Sequence, residues 1–301
     1  MDPTVDRWRA AGRMVHLDDH DLDVFAIDRG DASAPPDRTL LLLHGFPESS
    51  FSYHKVVDEL ADRFDRIVLF DVPGYGFSPA PRSASFSIPA QTDRTLALFR
   101  ALGVEGGHVV SHDMSDSIHT ELIARRVEGA TDLDIRSSVF TNGNMVVELA
   151  ELRIVQKLLL GPLGPLVSRL NNRWITALQI RSANGSGRLT PTDIRRMWWI
   201  ASVHDLPGKA DRIIRYYEDR LRFQDTRWFP ALRAASHPVH IVWGDQDRVS
   251  PPSVARRLQR DVLPDTEIRW VEGGGHFCQL DAPEAWRSAV LDVLGATSSD
   301  T

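Results

Sequence analysis

One stretch, from Val109 to Ile118, limits the folds open to this 301-residue chain more than any other. An apolar run at 108–110 ends in small and polar residues, and a helix-like pattern begins at Ser115. A strand, an abrupt turn and a helix in this order predict a nucleophile elbow, in which a strained turn holds one side chain at the carboxyl end of a buried strand. The residue at this turn is Asp113, so the elbow would present a carboxylate and not the more common hydroxyl.

Apolar runs typical of strands alternate with helical patterns on both sides of the elbow. Besides the elbow strand, strands are predicted at Val15 to Leu17, Leu22 to Ile27, Thr39 to Leu43, Arg66 to Phe70, Ile135 to Phe140, Pro238 to Trp243 and Glu267 to Val271. Besides the elbow helix, helices are predicted at Tyr53 to Ala61, Gln91 to Leu102, Val254 to Val262 and Pro283 to Leu294. This alternation predicts an α/β fold with a mostly parallel central sheet flanked by helices, after a first antiparallel pair of strands.

The alternation stops between Asn144 and Trp228, where no convincing strand is found. Helix-like stretches separated by Gly, Pro and Asn occupy this segment, at Met145 to Leu160, Pro165 to Leu178, Thr192 to Ser202 and Lys209 to Phe223. We therefore divide the chain into a core domain, residues 1–143 and 229–301, and an all-helical cap, residues 144–228. Both ends of the cap lie at the carboxyl edge of the sheet, where ligands bind in open α/β folds, so it should cover the site. The tail from Ala296 to Thr301 is expected to fray.

Composition excludes several classes of function. A net charge of −6, with 42% hydrophobic and 25% charged residues, is ordinary for a soluble globular protein and gives no reason to expect a nucleic-acid partner. The single cysteine, Cys278, excludes an internal disulfide. The N-terminal residues contain no apolar run, so we expect no signal peptide. Gly-Pro pairs and charges interrupt the longest apolar stretch, Ile154 to Leu170, so no integral membrane segment is expected, although a peripheral membrane contact stays open. We expect a cytoplasmic protein without cofactor or metal.

Five motifs follow the predicted strands in a recognisable order. They are His44-Gly45-Phe46-Pro47, Asp71-Val72-Pro73-Gly74-Tyr75-Gly76-Phe77-Ser78, the elbow, Gly244-Asp245-Gln246-Asp247 and Gly275-His276-Phe277. In this order the chain resembles the α/β-hydrolase superfamily over nearly its whole length. The aspartate at the elbow is similar to that of epoxide hydrolases and haloalkane dehalogenases. The residues around it, together with Thr141-Asn142-Gly143-Asn144, most resemble the mesoderm-specific-transcript branch.

The resemblance implies a catalytic triad. Asp113 would attack an sp3 carbon and form an alkyl ester, and His276 would activate the water that hydrolyses this ester. Asp247 would orient His276, since the family's Gly-x-x-Asp spacing, counted from Gly244, selects it over Asp245. The plainer alternatives are an acidic helix cap for Asp113 and a loop histidine held by backbone for His276.

The groups around the triad follow from the same resemblance. The backbone N–H groups of Phe46 and Met114 would form the oxyanion hole, and both side chains would contact substrate. The chain departs from the family at the elbow, where Ser111 and Ser115 replace glycines and Met114 replaces the usual tryptophan.

The leaving group decides the substrate class. An epoxide needs a proton donor, and Tyr217 falls where the family carries its cap tyrosine, with Tyr216 beside it as a substrate contact. A halide needs N–H donors, which Trp198 and Trp199 could supply, although an aromatic pair on a helix is more often core packing. We therefore expect an epoxide hydrolase, with a dehalogenase as the alternative.

Two further alternatives and the partners complete the expectations. Asp116 would add negative charge beside the elbow and disfavour a substrate that carries a carboxylate. The expected partner is therefore a small apolar organic substrate, and a homodimer stays open. A serine esterase that uses Ser111 or Ser115, and a catalytically weak binding protein, are the remaining readings.

Overall fold

The computed structural model describes residues 2–81, 83–150 and 152–296, except for the side chain of Ala296. Within them one sheet contains β1 Arg13–Leu17, β2 Leu22–Gly30, β3 Thr39–Leu43, β4 Arg66–Phe70, β5 Gly106–His112, β6 Asp134–Thr141, β7 Val239–Gly244 and β8 Ile268–Val271. The order of strands in space is β1-β2-β4-β3-β5-β6-β7-β8. At one edge, β2 pairs antiparallel with both β1 and β4. The other six strands, β4, β3, β5, β6, β7 and β8, run parallel, with β5 near the centre.

Helices cover both faces of this sheet and fill the interval between β6 and β7. The helices of the sheet region are α1 Pro3–Ala11, α2 Val57–Leu60, α3 Ile88–Ala101, α4 Met114–Val127, and, after β7, α12 Pro252–Asp261, α13 Cys278–Asp281 and α14 Pro283–Ala296. The helices between β6 and β7 are α5 Ile154–Leu160, α6 Gly164–Leu170, α7 Arg173–Asn184, α8 Pro191–Ser202, α9 Ala210–Ile213, α10 Tyr216–Phe223 and α11 Phe229–Arg233. A π-helical turn, Gln224–Trp228, joins α10 to α11.

Both faces of the sheet are buried. Leu41 and Leu43 of β3 belong to one apolar cluster, and Leu40 and Leu42 belong to another, because successive side chains of a strand point to opposite faces. A strand covered on both faces needs an unbroken apolar run, which β3 supplies. The first cluster continues into the helical segment through Tyr216, so the sheet and that segment share one core.

The predicted α/β class and mostly parallel sheet are confirmed, and each predicted strand is present with bounds that differ by at most three residues at either end. Helix α1 was not predicted. Only Val5 and Trp8 of this helix are buried, and two apolar positions are too few to show a helical period.

The segment expected to be helical contains no strand in residues 144–150 and 152–228. One predicted helix is present almost unchanged as α8, whereas the other three are shortened or divided. The stretch Pro165 to Leu178 contains parts of two helices, because the side chain of Asn172 accepts hydrogen bonds from the first amides of α7 and so begins a new helix. The domain division itself stays a prediction. Of the tail expected to fray, Ala296 ends α14, and residues 297–301 lie outside the described part.

Candidate active site

Asp113 stands on a sharp turn between β5 and α4. Its backbone has a φ of 47° and a ψ of −108°, a conformation that residues with side chains rarely adopt and that is typical of functional turns. The loop after β3 lies directly against it, because a Cβ on Gly45 would come within 2.7 Å of the Asp113 Cβ. This is the geometry of a nucleophile elbow.

The two serines of the elbow point into the core. The Ser111 hydroxyl donates to Asp116 Oδ1 at 2.6 Å, and the Ser115 hydroxyl donates to the carbonyl of His44. Both side chains are fully buried and have partners of their own, so a serine esterase at either position has no support from the structure.

Asp116, which was expected to add negative charge beside the elbow, is buried in the core. Its carboxyl group is fully buried and does not line the cavity, and burial raises its pKa well above the usual range. The sequence does not show that this first-turn residue faces inward. Its charge therefore gives no argument against a negatively charged substrate.

The Asp113 carboxylate has two partners on opposite sides. The backbone N–H of Phe46 donates to Oδ2 at 3.0 Å, so one of the two predicted oxyanion-hole donors contacts this carboxylate. On the other side, Arg220 donates from Nη2 to the Asp113 backbone carbonyl at 2.8 Å and lies 3.9 Å from Oδ1. Arg220 is 2% exposed and was missed by sequence reasoning, because no local pattern marks a helix residue 107 positions away as a site contact.

His276 and Asp247 form a hydrogen-bonded pair. The imidazole Nδ1 lies 2.9 Å from Asp247 Oδ2, which makes Nδ1 the donor and leaves Nε2 free to accept a proton. The same oxygen accepts from the Asn142 amide at 2.8 Å. The other oxygen, Oδ1, accepts from the backbone amides of Val249 and Ser250 at 2.7 and 2.9 Å.

The carboxylate of Asp247 is therefore held by four donors and has little freedom to rotate. Asp245, the competitor two residues earlier, is exposed at the surface, in agreement with the choice made from spacing.

Charge sets the basicity of His276. Burial opposes the protonated ring, but the carboxylates of Asp247 and Asp113 outweigh burial and raise the pKa of His276 above its ordinary value. An imidazole with a raised pKa is a stronger base for a bound water, provided that the pH is high enough to deprotonate it.

Asp113, His276 and Phe46 line one cavity beneath the helical segment. The space open to the centre of a water-sized sphere is about 60 Å³, and a smaller adjoining space of about 30 Å³ shares six of its lining residues. The floor is formed by the sheet loops, and the roof by α5 and α7. The roof residues are Gln156, Leu159, Thr176, Gln179, Ile180 and Ala183, with Arg153 just before α5.

Two polar groups of this roof lack partners. Arg153 Nε and Gln179 Nε2 are buried and form no hydrogen bond with any described residue. A buried N–H without an acceptor costs free energy, so these donors favour a ligand that brings an acceptor oxygen.

The two tyrosines of α10 are placed differently from the prediction. Tyr216 is buried, and its ring lies 6.2 Å from that of Phe46; burial first, and then the Asp113 charge, raise its pKa. Tyr217 is half-buried, and Asp113 is not among the groups that shift its pKa. Neither ring is among the described residues that line the cavity, but only Tyr216 is near enough for the Asp113 charge to shift its pKa. Tyr216 is therefore the better placed donor, and the choice of Tyr217 loses support; the two side chains differ because adjacent helix positions point about 100° apart.

The other predicted contacts lie away from the cavity. Trp199 packs edge-on against Phe77 at 6.3 Å in the second apolar cluster, and neither Trp198 nor Trp199 is among the described residues that line the cavity. The Met114 side chain is buried in the first apolar cluster and does not line the cavity. Trp199 and Met114 are therefore corrected to packing roles, and Trp198 does not contact the cavity.

A buried ion pair supports the floor of the site. His112 Nδ1 lies 2.8 Å from Glu48 Oε2, and His112 Nε2 donates to the carbonyl of His276 at 2.7 Å. Burial alone would lower the pKa of His112, but the Glu48 carboxylate raises it to about 9. Glu48 also accepts from the amide of Gly45 at 3.1 Å. This pair thus joins the loop of Phe46, the elbow strand and the loop of His276.

The roof touches the floor at the end of α7. The carbonyl of Asn184 accepts from the His276 amide at 2.8 Å, and its side-chain Oδ1 accepts from the Phe277 amide at 3.0 Å. The last residue of a roof helix therefore holds the loop that carries the base.

The described part of the chain contains no group of His, Cys, Asp and Glu side chains that could hold a metal ion. No helix in that part is both long and apolar enough to cross a membrane.

A parallel sheet with a strained elbow, an amide donor beside it and a carboxylate–imidazole pair in the same cavity defines the α/β-hydrolase class. The chain belongs to the alpha/beta hydrolase family, whose model matches residues 40–289. It is a hydrolase of that superfamily, and the resemblance drawn from its motifs is confirmed.

Relatives cover almost the whole chain. The LipZ protein of Mycobacterium tuberculosis (strain ATCC 25618 / H37Rv) is 32% identical over 293 residues, which are 97% of this chain and 98% of LipZ. The mesoderm-specific transcript protein of Mus musculus is 28% identical over 303 residues, 98% of this chain and 89% of its own length. Among solved structures, the haloalkane dehalogenase DbeA-M1 loop variant from Bradyrhizobium elkanii matches with a TM-score of 0.76 at 19% identity, and 96% of each chain is covered. At this identity the similarity shows the fold alone.

Proposed function

We propose that this hydrolase opens epoxides to diols through a covalent ester on Asp113. The observation that carries the proposal is the Asp113 carboxylate on its strained turn, bonded to the Phe46 amide and facing the same cavity as the His276–Asp247 pair. The segment 144–228 acts as the cap over this cavity.

The first step forms the ester. An oxygen of Asp113 attacks a carbon of the epoxide ring, the ring C–O bond breaks, and the alkoxide takes a proton from Tyr216. Burial and the Asp113 charge raise the pKa of Tyr216, so its phenol is protonated before the reaction and can serve as the acid.

The second step cleaves the ester. His276 Nε2 takes a proton from water, whose oxygen attacks the carbonyl carbon of the Asp113 ester. The Phe46 amide stabilises the oxyanion that forms. The alcohol then leaves with the proton from His276, and the new carboxyl group of Asp113 returns its proton to Tyr216, so the sum is epoxide plus water to diol.

A halide leaving group has less support. Neither of the tryptophans that were expected to hold the halide lines the described cavity, and the Phe46 amide donates to the carboxylate of the nucleophile. The cavity wall combines apolar side chains with the free donors of Arg153 and Gln179. We therefore refine the substrate to an epoxide that is apolar around the ring and carries an acceptor oxygen farther away.

Trapping tests the proposal. The variant His276→Ala is incubated with a panel of epoxides and a panel of alkyl halides, and the adduct on Asp113 is located by mass spectrometry. We expect an epoxide adduct that persists, and none in the double variant with Asp113→Asn. A halide-derived adduct alone would show a dehalogenase, and the absence of any adduct from both panels would overturn the covalent mechanism.

A further inference from the structure

The outer face of the roof helices is unusually apolar. Twelve large hydrophobic side chains are exposed among the described residues, and eight of them lie between residues 154 and 178. We name these eight the cap patch: Ile154, Leu158, Leu163, Leu166, Leu170, Trp174, Ile175 and Leu178. Ile154, Trp174 and Leu178 are each at least 70% exposed. A cluster of this kind on one segment is typical of an interaction surface and is not normal scatter.

The charge of the same segment is one-sided. From Leu152 to Thr192 the chain has six basic residues and no acidic one, although its overall net charge is −6. The basic residues are Arg153, Lys157, Arg169, Arg173, Arg181 and Arg188. Four of these side chains are exposed within the limits of the cap patch or beside it: Lys157, Arg169, Arg173 and Arg181. Exposed apolar side chains interleaved with cations form the pattern of a helix that lies on an anionic membrane surface.

The patch and the catalytic cavity are two sides of the same helices. An outer groove beside Ile154 and Leu178 is also lined by Arg153 and Gln179. Both of these residues line the catalytic cavity as well. The groove on the cap patch and the cavity therefore meet at a common wall.

We propose that the cap patch docks this protein onto an anionic lipid bilayer, with the cavity wall facing the lipid. The inference does not depend on the chemistry at Asp113. Helices α5, α6 and α7 have 7, 7 and 12 residues, so they would lie in the interface and not span it. Trp174, with Arg173 stacked 4.6 Å from its ring, would sit at the level of the headgroups.

A second copy of the chain fits this surface less well. A two-fold contact through the cap patch would set two cationic segments against each other without acidic residues from either segment between them. An anionic bilayer complements the charge and covers the apolar side chains at the same time.

Vesicle binding tests the inference. The full chain is sedimented with vesicles of phosphatidylcholine alone and of phosphatidylcholine mixed with phosphatidylglycerol. We expect binding to the mixed vesicles, weaker binding in high salt, and little binding to phosphatidylcholine alone.

The matched variants change exposed positions only. Leu170→Ser combined with Trp174→Ser should weaken vesicle binding about tenfold or more, because two inserted side chains are lost. Leu221→Ser, at a position on α10 that is 63% exposed and outside the patch, should leave binding unchanged. Thermal melting of each variant checks folding. Equal binding by all three proteins, or no binding to mixed vesicles, would overturn the inference, as would a dimer in solution that the double variant breaks.

Discussion

The floor and the roof of the cavity are built on different principles. In the floor, Asp247 accepts hydrogen bonds from four donors. Both ring nitrogens of His112 are bonded, one to Glu48 and the other to the carbonyl of His276. In the roof, Arg153 and Gln179 keep buried donors without acceptors. The difference teaches that the sheet loops fix the chemistry before substrate arrives, whereas the roof leaves bonds to be made by the substrate.

The largest effect is expected from a change to Asp247 in the floor. Asp247→Asn should lower turnover by about 10³- to 10⁴-fold, because the imidazole loses the partner that fixes its tautomer. The ester on Asp113 should accumulate, which mass spectrometry during turnover would detect. Asp245→Asn, at the exposed carboxylate two residues away, is the control and should be near wild type. Equal losses in the two variants would contradict the assignment.

The next effect tests the one roof residue assigned to chemistry. Tyr216→Phe should slow ester formation from epoxides by about 10²-fold, since the alkoxide loses its acid. Single-turnover kinetics with an epoxide measures this step directly. Tyr217→Phe should change it little. A larger loss in Tyr217→Phe than in Tyr216→Phe would return the donor role to the half-buried tyrosine.

The floor should also respond to pH. The pKa of His112 is about 9 in the folded protein and about 6.5 in an unfolded chain. Because the folded value is the higher one, the stabilisation from the ion pair is fully present below about pH 6.5 and is lost as the pH rises through about 9. We expect the free energy of unfolding in urea to fall by about 1 to 3 kcal/mol over this window.

Glu48→Gln is the control for that dependence. It should be less stable than wild type at neutral pH and should show a flatter pH profile, since the charge that raises the pKa of His112 is gone. If the free energy of unfolding of the wild-type protein rose from pH 6.5 to 9, the Glu48–His112 ion pair would not be the stabilising contact.

The smallest effect sharpens the account of the roof. Gln179→Leu should raise KM about fivefold for epoxides that carry an acceptor oxygen, because one hydrogen bond is worth about 1 kcal/mol. It should leave KM unchanged or lower for a purely apolar epoxide of the same length. Steady-state kinetics with such a matched pair of substrates decides the matter, and an equal change for both would assign Gln179 to packing.

Local patterns in the sequence were sufficient for the floor. The apolar run of β3 is buried on both faces and can only be a central strand, and the strand–turn–helix pattern around Asp113 identifies the elbow. The family's spacing from Gly244 selected Asp247, and this carboxylate is the one bonded to His276 in the structure.

The roof was harder to predict, for two physical reasons. The family pattern selected Tyr217, and because adjacent helix positions point about 100° apart, a choice that is one position off selects a side chain on a different side of α10. Contacts between distant segments leave no period in the sequence, so Arg220 against Asp113 and the burial of Asp116 could not be seen. The charges of a site depend on such burial, which is why the substrate expectation needed revision.

The bond between Asn184 and the loop of His276 has a mechanical consequence. If the whole roof moved as a rigid body, these hydrogen bonds would move the imidazole of His276 with it. The base would then be displaced each time a molecule entered the cavity. Substrate entry is therefore better served by an opening of the cavity wall around Arg153 and Gln179, while the hydrogen bonds of Asn184 stay formed. The entry of substrate and the positioning of the base are then separated in space. The carboxyl end of α7 holds the loop of His276, and the side of the same helix forms the entrance.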